Sequence, residues 1–334
     1  MVLLKDIARE VNVSVSLVSK VLNNKMGTTG ISPDTVRLVR EAAKRLGYRK
    51  NTSAVALQKG RHNVFGVYIH HMGTPGSEIM EEMIRGISRT AWKYRQRLSL
   101  AFFESTAEAV ELCESAHPNS MDGLIMAGLP HGEVVEQLRS IRNTWLPIVT
   151  LYDKPVATDF VNVGMDQAAV GRAATQHLIE HGARQIAHIV NNDDRFEGYR
   201  KALREAGIRY DEQRVFRADP DQGYSHLTGQ TAIRTFRDRG VAFDAVFAQS
   251  DQEAVGCIRE LDRNGVSVPD DVIVIGIDNA PYCEFVRTPI SSVSQRFMER
   301  GEKAVDLLMG LINGKKSASV DFKPLVVPRL STRR

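Results

Sequence analysis

The chain has 334 residues, 43% of them hydrophobic and 25% charged, a globular composition with room for two or three domains that excludes fibrous and low-complexity classes. Three widely separated cysteines, Cys113, Cys257 and Cys283, with no CxxC and no Cys/His cluster, exclude a disulfide scaffold and read as reduced thiols. The formal net charge of +4 is unevenly spread: residues 1–61 carry 12 Lys and Arg against 4 Asp and Glu, and the other 273 carry 32 against 36, so a basic head sits on a mildly acidic body and only the head suits a polyanion.

The opening MVLLKDIARE lacks the apolar run of a signal peptide, and no later stretch reaches transmembrane length. The expectation is a cytoplasmic protein with no membrane partner. Leu4, Ile7, Ala8 and Val11 recur at helical spacing and predict a helix over 4–11. Asn12-Val13 breaks the pattern. Ser14 is placed to cap a second helix from Val15 to about Asn23, with Val18 and Leu22 facing inward. Two short helices joined by a tight turn make a helix-turn-helix, although the pattern alone also fits two surface helices of any α-domain. A third helix opens on Ser32 as N-cap, with Pro33 at its first position and Asp34 complementing the dipole. It buries Val36, Val39, Ala43 and Leu46 and ends at Gly47. Residues 49–63 are small and polar around a helix-capable core, Ser53–Gln58, and read as a linker.

From Val64 onward, apolar runs (64–69, 98–103, 124–127, 148–151, 186–190, 245–248, 272–277) alternate with amphipathic stretches (77–94, 166–181, 195–206, 225–239, 251–264). Gly182, Gly207, Gly240 and Gly265 close several of the latter. Such alternation predicts parallel sheets covered on both faces, and a change of pace near residue 163 divides it into two Rossmann-like lobes. There is no GxGxxG after a strand, no GxxxxGK[ST], no GxSxG and no HExxH, which argues against an α/β enzyme. A solute-binding receptor would share the body but would need an export signal and no helical head. His70 and His71 end the first strand with no acidic or Cys neighbour, so they read as ligand hydrogen-bonding or plain loop residues, not as a metal site. No metal and no cofactor is expected.

The segment LLKDIAREVNVSVSLVSKVLNNK…ISPDTVRLVREAAKRLGYRKN resembles the DNA-binding head of the LacI family, the lactose- and purine-repressor relatives. The KDIA, VSxxxVSxVLN and SPxTxxxVxxAAxxLGYxxN pieces match in order. The body resembles the periplasmic-binding-protein-like core of the same family through MDGLI (121–125), VTLYDKP (149–155), NVGMDQAAVGRAATQHLIEHGARQIAHI (from 162), RFEGYR (195–200), FAQSDQEAVG (247–256) and VPDDVIVIGIDN (268–279).

The resemblance implies an α/β two-lobed, parallel-sheet core with an N-terminal all-α helix-turn-helix domain. The helical domain takes 1–50 and the hinge 51–63. The core takes 64–334, with one lobe about 64–162 and 292–322 and the other about 163–291 and 323–334. It implies that the second helix enters the major groove of double-stranded DNA on a near-palindromic operator, with Ser14, Val15 and Ser16 at the helix start and Lys20 further along. Ser19, Asn23 and Tyr48 would contact phosphates. Leu17 stands where the family usually has Thr, Lys20 where Arg is commoner, and Leu3 at the usual capping Thr. The family's hinge folds on the operator and wedges a leucine into the minor groove, and Leu57 matches it. His71, Asp153, Arg195, Tyr224, Asp278 and Phe297 match positions lining the effector pocket, where two carboxylates and a guanidinium can bracket vicinal hydroxyls under an aromatic ring. Without the resemblance, Asp153 also fits a turn, Arg195 a helix cap or ion pair, and Tyr224 and Phe297 lobe core. The function implied is an allosterically controlled transcriptional regulator, a repressor acting as a homodimer. Its small-molecule effector would be a sugar or sugar derivative, with a nucleobase as the alternative. The chain closes on LSTRR with no leucine-heptad tail, from which a dimer is expected over a tetramer.

Overall fold

The structure is a computed structural model that describes residues 2–24, 30–48, 60–70, 78–128, 132–144, 146–217 and 225–333. The expectations for Leu57, His71 and Tyr224 and for a hinge helix at Ser53–Gln58 lie outside the described residues. Met1–His62 and Asn63–Arg334 form two separate compact units.

In the first unit, α1 (Leu4–Val11), α2 (Val15–Leu22) and α3 (Pro33–Arg45) close on a small core of Ile7, Ala8, Val18, Val21, Val39, Ala42 and Ala43. Each helix start is satisfied locally. The Leu3 N–H donates to Asp6 Oδ2 at 2.9 Å, Ser14 Oγ accepts from Leu17 N–H at 3.2 Å, and Ser32 Oγ accepts from Thr35 N–H at 3.1 Å. Asn12 ends α1 in the left-handed region at φ 56°, a conformation its short polar side chain tolerates. One expectation is corrected: Val21 is fully buried and Leu22 only partly. Successive residues turn by roughly 100°, and the three-helix contact is centred between Val18 and Val21, which leaves Leu22 on its flank.

The second unit holds two six-stranded sheets. The first has the order β2-β1-β3-β4-β5-β11, all parallel, from β1 (Val64–His70), β2 (Arg97–Phe103), β3 (Gly123–Ala127), β4 (Ile148–Leu151), β5 (Val161–Met165) and β11 (Val320–Phe322). The second has the order β7-β6-β8-β9-β10-β12, from β6 (Ile186–Val190), β7 (Val215–Arg217), β8 (Ala245–Phe247), β9 (Ile273–Ile277), β10 (Ser291–Ser294) and β12 (Leu325–Val327). Only β12 runs antiparallel. Strands β3, β6, β8 and β9 are buried along their whole length, as parallel strands with helices on both faces must be, and hence read as unbroken apolar runs.

The first sheet is flanked by α4 (Ile79–Lys93), α5 (Thr106–Ser115), α6 (Val134–Asn143) and α11 (Phe297–Ile312). The second is flanked by α7 (Gln167–Glu180), α8 (Asp193–Glu205), α9 (His226–Asp238) and α10 (Asp251–Arg263). The chain passes between sheets after Met165, between Ser294 and Phe297, and between Phe322 and Leu325. The first two crossings fall a few residues later than the expected lobe limits at 163 and 292. Ladder pairing is the cause: β5 is hydrogen-bonded to β4 and, from Val163 to Met165, to β11, while β10 pairs with β9 from Ser291 onward.

Helices α7 and α8 touch backbone to backbone. A Cβ on Gly171 would lie 2.0 Å from the Arg195 carbonyl oxygen, and one on Gly198 would lie 2.1 Å from that of Ala168. This pair of glycines therefore fixes the height at which the first turn of α8, carrying Arg195, stands over the second sheet.

Candidate functional site

Both sheets are doubly wound, with strand order reversing between β1 and β3 and between β6 and β8. Ligands of such sheets lie outside the carboxyl ends of the strands at these switch points. The residues following those ends are Tyr152 and Asp153 after β4, Asn191 after β6, Gln249 after β8, Asp278 after β9 and Gln295 after β10.

Arg195 sits in the first turn of α8, whose N-cap Asn192 accepts the Arg195 N–H at 3.0 Å. Its guanidinium donates from Nε to Gln167 Oε1 at 2.6 Å, and from Nη1 to the Gln249 carbonyl and Oε1 at 3.1 Å each. Gln167 Nε2 donates to Gln295 Oε1 at 2.7 Å, and Gln295 Nε2 to Asp278 Oδ1 at 2.7 Å. Arg195 and Asp278 are thus the ends of one network that runs through Gln167, two residues past the end of β5, and Gln295, within the second crossing. Asp278 has φ 105° and Asn279 φ 58°, conformations costly for residues with a Cβ. They are held by bonds from Asp278 N–H to the Val293 carbonyl at 3.0 Å and from Asn279 N–H to Ser292 Oγ at 2.9 Å.

Asp153 lies in the first lobe with a carboxylate 40% exposed, 3.3 Å from Arg300 Nη2. Arg300 is 1% exposed and lies 5.2 Å over the ring of Phe297, the first residue of α11. Four expected pocket residues therefore fall into two groups: Arg195 with Asp278, and Asp153 with Phe297 around Arg300. A cavity of about 530 Å³ between the lobes is lined by Asp278 and Phe297 together with Glu78, Arg85, Pro281 and Arg329.

Beneath these groups Asp251 and Glu253 are buried. Burial pushes their carboxyls up, to about 7 and about 8 respectively. His188 is buried beside Gln249, stacked on Phe247 at 4.1 Å, and burial lowers its imidazole to about 3. Among the described residues no group of three or more His, Cys, Asp or Glu side chains is arranged to hold a metal ion. The sequence reading missed Gln167, Gln249, Gln295 and Arg300, and also Asn191, whose buried side-chain amide has no partner at either polar atom among the described residues. For Gln167, Gln249 and Asn191 the available signal was a polar residue within two positions of a largely apolar strand end; Gln295 follows the polar strand SSVS and carried no such signal. For Arg300, inside a helix, there was none.

In the helical unit, Val15, Ser16, Ser19, Lys20 and Asn23 span an arc of roughly 140° on α2, opposite the buried Val18 and Val21. Val15 is 45% exposed, and Ser16 and Lys20 are exposed. Ser19 and Asn23 are half-buried and bonded to each other, Asn23 Nδ2 to Ser19 Oγ, at 3.3 Å. The Ser14 hydroxyl is used as the cap. Tyr48 is half-buried against the core.

Residues 3–51 match the sequence profile of bacterial regulatory proteins of the lacI family, and residues 175–332 match that of a periplasmic binding protein-like domain. The chain belongs to the LacI family. It is 28% identical over 317 residues to catabolite control protein A of Priestia megaterium, covering 92% of both chains. A transcriptional regulator CelR–cellobiose complex superposes with a TM-score of 0.69 at 27% identity, covering 99% of this chain and 100% of that one. A lac repressor dimer bound to operator and an anti-inducer superposes with a TM-score of 0.82 at 21% identity over 99% of both. The two-lobed, parallel-sheet core and helix-turn-helix head of this LacI-family chain are the architecture anticipated from its motifs. No helix among the described residues is long and apolar enough to cross a membrane.

Proposed function

We propose that this LacI-family chain is a sequence-specific transcriptional repressor, dimeric on a near-palindromic operator, whose DNA affinity is set by a small polyhydroxy molecule held between its lobes. One observation carries the reading. The same chain joins a three-helix unit presenting Val15, Ser16 and Lys20 on an uncovered helix face to a doubly wound core in which Arg195 and Asp278 end a buried polar network. An exposed helix face of this kind suits the major groove. Carboxylates and a guanidinium that converge at strand ends suit hydroxyls. The cellobiose-bound relative supports a sugar-class effector, and the operator-bound dimer supports the assembly. A role on operator DNA supports a cytoplasmic location.

Edge strand β2 supports the dimer as well: Leu100 and Phe102 are 43% and 49% exposed there, and Trp92 on the adjoining α4 is 81% exposed. The gating mechanism is a coupling free energy between cleft and operator, of about 1–3 kcal/mol or roughly fivefold to 150-fold in affinity. Because Gln167 and Gln295 lie beside two lobe crossings, a ligand that re-forms their bonds changes lobe closure where the chain bends.

The test is selection from a random duplex pool with the full chain at moderate salt, followed by anisotropy titrations with and without a sugar panel. A two-fold-symmetric site, bound at least a hundredfold better than a shuffled duplex and shifted by at least one sugar, is the expected result. Equal binding to selected and shuffled duplexes under every condition would discard the reading.

A further inference from the structure

The geometry points to an effector that carries an anionic group, a carboxylate or a phosphate on a polyhydroxy body, docked on Arg300 beside Phe297. The inference rests on the cleft being the effector site and narrows the class of molecule it takes.

Arg300 does not have the surroundings of a structural arginine. It is 1% exposed, and both of its contacts come from one nitrogen: Nη2 lies 3.3 Å from Asp153 Oδ1 and 3.4 Å from the Val163 carbonyl. Nε and Nη1 are buried and have no acceptor among the described residues. A guanidinium has five donors in a fixed planar fork, and buried donors are matched in nearly all proteins. Leaving donors of that fork unmatched is unfavourable, so an acceptor arriving with a ligand is the natural complement. Nε and Nη1 do not share an edge of the fork, and Nη2 belongs to both edges, so each unmatched nitrogen offers a separate charge-assisted N–H to an anionic oxygen, a planar spread of donors a lysine does not have.

The rest of the cleft agrees. Arg195, from the opposite lobe, has only neutral acceptors in Gln167 and Gln249, and among the described residues no carboxylate lies within ion-pair distance of it. The nearby acids are in part neutralised. Burial raises the Asp278 carboxyl and pushes Asp251 and Glu253 up to about 7 and about 8, so that at pH 7 Glu253 is mostly and Asp251 about half protonated. Two guanidinium groups, one from each lobe, thus lie near the cleft with donors that have no acceptor among the described residues. Asp153 and Asp278 remain to accept ligand hydroxyls, and an anion held by Arg300 that also reaches Arg195 would draw the lobes together.

The test uses the full chain and isothermal titration calorimetry. The panel is D-glucose and D-galactose, their acids D-gluconate, D-glucuronate and D-galacturonate, D-glucose 6-phosphate, and inorganic phosphate alone. The expected result is at least one acid or sugar phosphate bound tenfold or more tightly than its neutral parent. Arg300→Leu should bring that ratio to within twofold, and Arg300→Lys should retain part of it. Circular dichroism checks the fold of both variants, and if Arg300→Leu does not fold, Arg300→Gln replaces it. Acid arms that bind without the phosphate arm identify a sugar acid, and the converse identifies a sugar phosphate. A neutral sugar that binds while its acid and phosphate do not overturns the anion assignment but leaves the sugar-gated reading standing. A panel in which nothing binds overturns both, as does binding of inorganic phosphate alone. A preference that survives Arg300→Leu removes Arg300 as the anchor.

Discussion

Glu253 shows how one residue couples the cleft to stability. One carboxylate oxygen accepts the Gln249 N–H at 2.9 Å, and the other is buried without a partner among the described residues. Desolvation by burial pushes the group from its ordinary 4.5 up to about 8. Between those values the folded protein holds a proton that the unfolded chain has released, so this stabilisation is largest at low pH and is lost as pH rises toward 8. His188 acts in the opposite sense. Its imidazole is lowered from 6.5 to about 3, so the unfolded chain takes up a proton first and stability is lost as pH falls below about 6.5. Glu253→Gln removes only the first effect. The drop in Tm from pH 5 to pH 9 should be clearly smaller in the variant than in the parent, read by thermal denaturation in matched salt. An equal drop in both would show that Glu253 does not titrate in this window. None of this was legible beforehand, because an ionisable residue in the first turn of a helix is ordinarily solvated.

At the scale of elements, helix contacts decide where the site residues stand. Gly171→Ala would place a methyl 2.0 Å from the Arg195 carbonyl oxygen, forcing α7 and α8 apart. Overpacking of this kind costs about 1–3 kcal/mol. We expect a lowered Tm together with weaker effector binding, since Arg195 moves with its helix turn, and an unchanged Tm and affinity would contradict the packing argument. The α2 face was readable from Ser14 and the spacing of the apolar residues, because a short helix with one buried stripe leaves its remaining side chains by elimination. The hinge prediction belongs here as well. Leu57→Ala should weaken operator binding at least tenfold more than binding to random duplex, because unstacking a base step is offset only where the bent duplex makes further contacts. Equal losses on both would remove the wedge role, whatever the hinge does structurally.

For the whole molecule, the prediction concerns assembly. Among the described residues edge strand β2 pairs only with β1 and leaves Leu100 and Phe102 exposed, a surface that natural edge strands usually protect. The double variant Leu100→Asp/Phe102→Asp should be monomeric by analytical ultracentrifugation at micromolar concentration and should bind the operator at least tenfold more weakly. A variant that stays dimeric would place the interface elsewhere. The two-lobed plan was visible from strand–helix alternation, but β7, β11 and β12 were not anticipated. Each is three residues long at a sheet edge, too short to set up a period. Strands β5 (VNVGM) and β10 (SSVS) were not among the anticipated runs either, because their polar and glycine residues break the apolar pattern. The lobe crossings shifted for a related reason, since the ladder that keeps residues 163–165 in the first sheet is with β11, more than 150 residues away in sequence.

What the sequence settled alone was everything carried by local periodicity and chemistry: three capped helices in a basic head, buried parallel strands, glycine-closed helices, and strand-end motifs that mark the family. Such features depend on neighbours a few residues apart, so they are written in the chain itself. Tertiary structure alone decided which polar groups meet. Gln167 reaches Gln295, Arg300 reaches Asp153, and Arg195 is set by a glycine on another helix. Those contacts join residues 24 to 147 positions apart, and only the closed fold brings them within hydrogen-bonding distance.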